Sequence, residues 1–124
     1  MRGSMQDMPV AVDMQGVRIQ QADWSDMTVS LERFPAGLDT APIFRGLPDD
    51  RCQCPHWGYI VSGRVRLVYA DHEEVVAAGD AYYLAPGHTT VFEEDTVVVE
   101  FSPRGEYAAT MEVAGRNAAQ VMGA

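Results

Sequence analysis

His56-Trp57-Gly58-Tyr59-Ile60-Val61-Ser62-Gly63-Arg64-Val65-Arg66-Leu67-Val68-Tyr69-Ala70 reads as two strands parted at a glycine. Side chains alternate across a strand, so His56, Gly58, Ile60 and Ser62 share one face while Trp57, Tyr59 and Val61 share the other. Gly58 leaves space beside His56 on the histidine face, and a ligand or a metal-bound water fits that space. The opposite face is aromatic and apolar and needs cover from another layer.

Short strands continue downstream at turn-punctuated spacing. Asp71-His72-Glu73 forms a polar turn, Glu74 to Ala77 a strand ended by Gly79-Asp80, and Ala81 to Ala85 the next, ended by Pro86-Gly87. Thr89 to Phe92, the acidic turn Glu93-Glu94-Asp95 and Thr96 to Ser102 follow. Upstream, Val17-Arg18-Ile19 and Met27-Thr28-Val29-Ser30-Leu31 alternate in the same way, separated by the polar run Gln20 to Asp26. Many short strands with turns every 8 to 12 residues or so predict an all-β sandwich or barrel. Near the C-terminus the period changes: Tyr107, Met111, Ala114, Ala118 and Val121 form a helical stripe, with Pro103 before it and Gly123 past its end. The expected organisation is a Met1-Arg2-Gly3-Ser4 expression leader, a barrel over 5–104, and a helix over 105–124 on the outside of the barrel.

Composition narrows the functions open to such a barrel. Among 124 residues there are eighteen acidic and nine basic side chains, for a net charge of -9, and every basic one is Arg. That balance argues against a phosphate-tracking nucleic-acid surface. The lack of Lys excludes Schiff-base chemistry and a P-loop lysine. No apolar run approaches the ~20 residues that span a bilayer, and no secretory pattern is present, so no membrane partner is expected and the cytoplasm is the default location. Two cysteines in such a chain read as reduced thiols.

His, Cys and carboxylates are left to carry chemistry. Cys52 lies four residues before His56, about 13 Å away if the chain were straight. Pro55 predicts a tight turn that would fold Cys52 back opposite His56, with Cys54 in the turn. With the distant His88, Cys52 and His56 form a candidate metal set; Cys54 and Asp50 are possible additional ligands. Imidazole suits zinc, iron, copper and nickel, and a thiolate favours zinc or copper over magnesium or calcium. Cys52 read instead as a plain buried thiol, and the two histidines as hydrogen-bonded groups of a metal-free pocket, are the alternatives. Tyr82, Tyr83 and Glu100 are candidate pocket residues, and His72 reads as an exposed turn residue.

These residues resemble the two motifs of the cupin superfamily, G-x5-H-x-H-x3,4-E-x6-G and G-x5-P-x-G-x2-H-x3-N, over roughly residues 45 to 102. Gly63 matches the closing glycine of the first motif; His56 then stands at the motif's Glu, Cys52 at its second His and Asp50 at its first. Gly79 matches the second motif, whose metal-binding His falls on Thr90, two residues after His88 and of the same strand parity. The resemblance implies a small antiparallel jelly-roll barrel, often dimeric, many of whose members bind a divalent metal inside. It implies a protein acting on a small molecule through an ion on Cys52, His56 and His88, as an oxygenase, isomerase or hydrolase. The competing reading is a metal-free small-molecule binding or sensor module without catalysis; a redox sensor using Cys52 or Cys54 is a third. The outward Trp57, Tyr59 and Val61 predict a homodimer.

Overall fold

The computed structural model describes residues 1–122, so the expected helix stop at Gly123 lies outside the described residues. Nine strands precede one helix: β1 (Val10–Met14), β2 (Val17–Trp24), β3 (Met27–Phe34), β4 (His56–Ser62), β5 (Arg64–Val68), β6 (Glu73–Ala77), β7 (Ala81–Leu84), β8 (Thr89–Phe92), β9 (Thr96–Pro103) and α1 (Arg104–Met122). Two single 3-10 turns, Ala41–Phe44 and Pro48–Asp50, occupy the loop between β3 and β4. The strands form a six-stranded sheet, β1-β2-β3-β9-β4-β7, and a three-stranded sheet, β6-β5-β8, and every strand pair is antiparallel.

Gly63 is the corner at which the chain leaves the large sheet for the small one. Its φ is +97°, and a Cβ there would run into the Asp95 carbonyl and Thr96, so only glycine fits the corner. Beside it, Ile60, Val65, Leu67, Val76, Leu84, Phe92 and Val98 interlock between the sheets, with Phe34 stacked on Phe92 at 4.3 Å. Each fully buried aliphatic side chain there contributes about 1.5–3 kcal/mol of transfer free energy.

The polar run that seemed to break the N-terminal strands is part of β2, which continues to Trp24. Its glutamines are satisfied on both faces. Gln20 donates to the carbonyls of Met5 and Met8, and Gln21, on the inner face, donates to Ser30 Oγ and Tyr107 Oη. Buried polar groups with partners are compatible with a strand that composition alone disfavours.

Helix α1 lies against the open side of the barrel, where Tyr107, Thr110, Met111, Ala114 and Ala118 line the interior cavity. Asn117 ties it down by donating to the carbonyls of Ile43 and Arg45. Tyr107, Thr110 and Ala114 are buried, whereas Val121, counted in the predicted stripe, is 55% exposed. No helix among the described residues is long and apolar enough to cross a membrane.

Candidate metal centre

Away from the Gly63 corner the interior turns polar. His56 opens β4 and points inward, as its parity predicts, and is 6% exposed. Cys52 is not folded back on His56 by a hairpin at Pro55. It pairs with His88 instead: its N–H donates to the His88 carbonyl at 2.9 Å and its carbonyl accepts from Gly87 N–H at 2.8 Å. The chain then crosses from the β8 side to β4 within three residues, which brings Cys52 Sγ to 3.6 Å from His56 Nε2. His88, just before β8, faces the same cavity, as does Thr90 two residues on.

One ligand atom from each of Cys52, His56 and His88 lies within 4.8 Å of the others, and all three residues are buried. A tetrahedral ion with Zn–S of about 2.3 Å and Zn–N of about 2.0–2.1 Å spaces sulfur and nitrogen about 3.6 Å apart. The Cys52–His56 pair already has that spacing, so the triad needs only a small closure around an ion.

Both imidazoles present the correct nitrogen. The Ala85 carbonyl, which can only accept, lies 2.6 Å from His88 Nδ1 and therefore fixes the hydrogen there, leaving the Nε2 lone pair free. Burial holds His88 down to about 4, so it stays neutral at neutral pH. His56 Nδ1 is 2.6 Å from Ser102 Oγ and 3.1 Å from Glu100 Oε1, which turns its Nε2 toward Cys52. A carboxylate behind a ligating histidine sets ring orientation and raises ligand basicity. Burial pushes both the Cys52 and Cys54 thiols up to about 12, so Cys52 must give up a proton to ligate.

Of the remaining candidates, Asp50 and Tyr83 stand apart from this cluster, Cys54 borders it, and Glu100 backs His56. Asp50 is exposed, and its carboxylate accepts the Gly46 N–H at 3.0 Å. Cys54 is buried against Cys52 and Tyr107, but its Sγ lies 3.4 Å from the Pro55 carbonyl rather than in the ligand group. Tyr83 faces outward, 49% exposed, against the Trp57 ring. Its neighbour Tyr82 faces inward because parity alternates, and lines the cavity with Glu100. His72 is exposed and paired with Asp71.

The space expected beside His56 at Gly58 is filled. Tyr82, Gly58 and Glu100 are cross-strand neighbours on β7, β4 and β9, and Tyr82 lies over the glycine to donate its hydroxyl to Glu100 Oε2 at 2.5 Å. Burial, reinforced by Glu100, raises the Tyr82 hydroxyl far above its usual range, so it is a fixed donor. The cavity itself, about 200 Å³, lies further inward under α1.

Several residues were not singled out from the sequence, chiefly Glu32, Tyr107 and Thr40 in the cavity wall and Ser102 behind His56; Thr40 is hydrogen-bonded to Thr90, the position matched to the second motif's His. Strand parity could have flagged Ser102, which shares the Glu100 face of β9. Glu32 gave the opposite indication, because Thr28, Ser30 and Glu32 form the polar face of β3 and that face turns inward.

No known family profile matches the sequence, and no curated protein does. Solved structures do match the fold. An RmlC-like cupin from Shewanella frigidimarina superposes with a TM-score of 0.59 at 15% identity, covering 82% of this chain and 88% of that one. KdgF from a Halomonas species gives 0.56 at 20% identity, covering 82% and 93%. A Bacillus subtilis oxalate decarboxylase variant gives 0.61 at 14% identity, with this chain spanning 31% of its length. The chain thus has the cupin jelly-roll fold with a C-terminal helix, and at these identities the likeness concerns the fold.

Proposed function

We propose that the protein holds a divalent transition metal, zinc, iron, copper or nickel, on Cys52 Sγ, His56 Nε2 and His88 Nε2 and acts there on a small molecule bound in the cavity. The observation that carries this reading is the convergence of three soft or borderline donors within 4.8 Å, with both Nδ1 positions engaged elsewhere. Cys52, His56 and His88 would hold the ion, which would supply Lewis-acid polarisation of a carbonyl or activation of water or oxygen. The chain's own part is positional. Ser102 and Glu100 orient His56, the Ala85 carbonyl orients His88, and the apolar walls exclude water and strengthen electrostatic interactions inside.

A second reading, a metal-free binding or sensor module, draws on the proton held by Cys52 and on its existing contact with His56. Elemental analysis of untagged protein separates the two. Near-stoichiometric metal in the wild type, lost in Cys52→Ala and His88→Ala and kept in Cys54→Ala, is the expected result; metal-free wild-type protein that still binds ligand would sink the first reading.

A homodimer is part of the proposal. Tyr83, Trp57 and Phe101 form a cross-strand row on the outer face of the large sheet, with Tyr59 and Val61 beside it, each 38% to 50% exposed. A contiguous aromatic patch of this kind suits a subunit interface. The setting proposed is cytoplasmic, where Cys52 and Cys54 stay reduced.

A further inference from the structure

The inward face of β3 places Glu32 in the cavity wall, 5% exposed, between Ile19 and Val98. Glu100 lies diagonally across from it on the neighbouring strand, since Ser30 pairs with Glu100 and Glu32 with Val98. The two carboxyls are treated very differently by their surroundings. Glu100 has a partner on each oxygen, His56 at Oε1 and the Tyr82 hydroxyl at Oε2. Among the described residues no group donates to Glu32, and its oxygens are open to the cavity rather than sealed in protein.

The hydroxyl donors nearest to hand do not bond to it. Tyr82 Oη donates to Glu100, and Tyr107 Oη, which accepts from Gln21 and keeps its own O–H, makes no hydrogen bond to Glu32. No Arg lines the cavity among the described residues, and the chain has no Lys. A buried carboxyl without a donor or counter-charge costs several kcal/mol in its ionised form. Burial, with Glu100 beside it, pushes the Glu32 carboxyl well above the usual carboxylate range. Whatever satisfies it has to come from the cavity side.

We propose that Glu32 is the head-group residue of the cavity and that the ligand is a small apolar molecule carrying a positively charged amine, seated with its ammonium against Glu32 and its hydrocarbon part along the apolar walls. Ile19, Phe34, Val98 and Met111 supply such walls. An ammonium offers three donors and a full charge to a site that has acceptors and negative charge but no cation. An organic anion in the same place would meet two carboxyls and no basic side chain. The net charge of -9 acts in the same sense, raising the local concentration of cations. The inference rests on the reading of the cavity as a small-molecule site, and it holds with or without an ion on Cys52, His56 and His88.

Calorimetric titration of the full chain at pH 8 with hexylamine, 1-hexanol and hexanoate varies head-group charge at constant chain length. Hexylammonium is expected to bind at least about tenfold more tightly than hexanoate, with hexanol between them. Glu32→Gln, which keeps the shape, and Glu32→Leu, which removes the polar group, are each expected to abolish that preference while metal content stays near wild type and the unfolding temperature does not fall. Hexanoate binding as tightly as hexylammonium, hexylammonium binding unchanged in Glu32→Gln, or no hexylammonium binding to the wild type would each overturn the assignment. Metal content measured on the same samples keeps the two readings apart. Amine binding by metal-free protein refutes only the metal, and metal-loaded protein without amine preference refutes only the role of Glu32.

Discussion

Gly58→Ala tests the link between the sheet and the site. A Cβ at residue 58 would lie 2.5 Å from Tyr82 Cζ and Oη and 2.7 Å from Cε2, far inside van der Waals contact. The ring must swing away, and its hydroxyl then leaves Glu100. A hydrogen bond to a charged group is worth about 1.5–3 kcal/mol, and the displaced ring adds about 1 kcal/mol of overpacking. Restricting the unfolded chain returns about 0.4–1 kcal/mol. The balance is a loss of about 2–3 kcal/mol, which for a domain of this length lowers the midpoint by roughly 6–15 °C. Thermal and urea unfolding followed by circular dichroism read it directly. In a Tyr82→Ala background nothing occupies the space over residue 58, so the same substitution should cost close to nothing, a coupling of about 2 kcal/mol. Because Glu100 orients His56, zinc affinity of Gly58→Ala should also fall by about tenfold or more. Equal costs in the two backgrounds, or a Gly58→Ala variant within about 0.5 kcal/mol of wild type, would refute the account.

Glu32→Gln should change how stability depends on pH. Burial, and then Glu100 beside it, raise the folded-state pKa of Glu32 well above the ordinary glutamate value of 4.5, so its contribution is fully present below 4.5 and is lost as pH rises through the raised value. Around it the titratable groups are Glu100 on β9, Tyr82 on β7 and Tyr107 on α1, and neither tyrosine ionises in this range. Relative to wild type, Glu32→Gln should therefore be near neutral at pH 4 and increasingly stabilising toward pH 8; a difference that stays constant across that range in urea titrations counts against a buried, displaced Glu32. On the outer face, replacing Trp57 and Tyr83 together by Ser should convert a dimer to monomers in sedimentation experiments without lowering metal content. A wild-type chain that sediments as a monomer at all concentrations disproves the interface.

The strands were largely legible because the evidence for them is local. From His56 to Ser102 alternation and turn residues marked each strand to within a residue or two, since a half-buried strand needs apolar side chains at every second position. The N-terminal strands were harder. Gln20 and Gln21 looked like a break because their partners, the Met5 and Met8 carbonyls, Ser30 and Tyr107, come from distant parts of the chain. In β3 the alternation itself misled, because the polar positions Thr28, Ser30 and Glu32 face the interior while Val29 is buried on the other side. Period two tells which residues share a face, and not which face meets the cavity.

The candidate site divides along the same line. Sequence by itself determined that Cys52, His56 and His88 have the chemistry of metal ligands, that His56 and Gly58 share a face, and that Gly63 parts two strands; the turn of the chain from one sheet to the other at Gly63 came from the tertiary structure. Tertiary structure decided that Cys52 reaches His56 by pairing with His88, that Tyr82 fills the space over Gly58, that Asp50 and Tyr83 stand apart, and that Glu32 faces the cavity without a donor. The physical reason is range. Strand identity follows from neighbours a few residues apart, whereas the ligand cluster and the Glu32 pocket join segments far apart in the chain whose positions are set only when the two sheets and α1 close on one another.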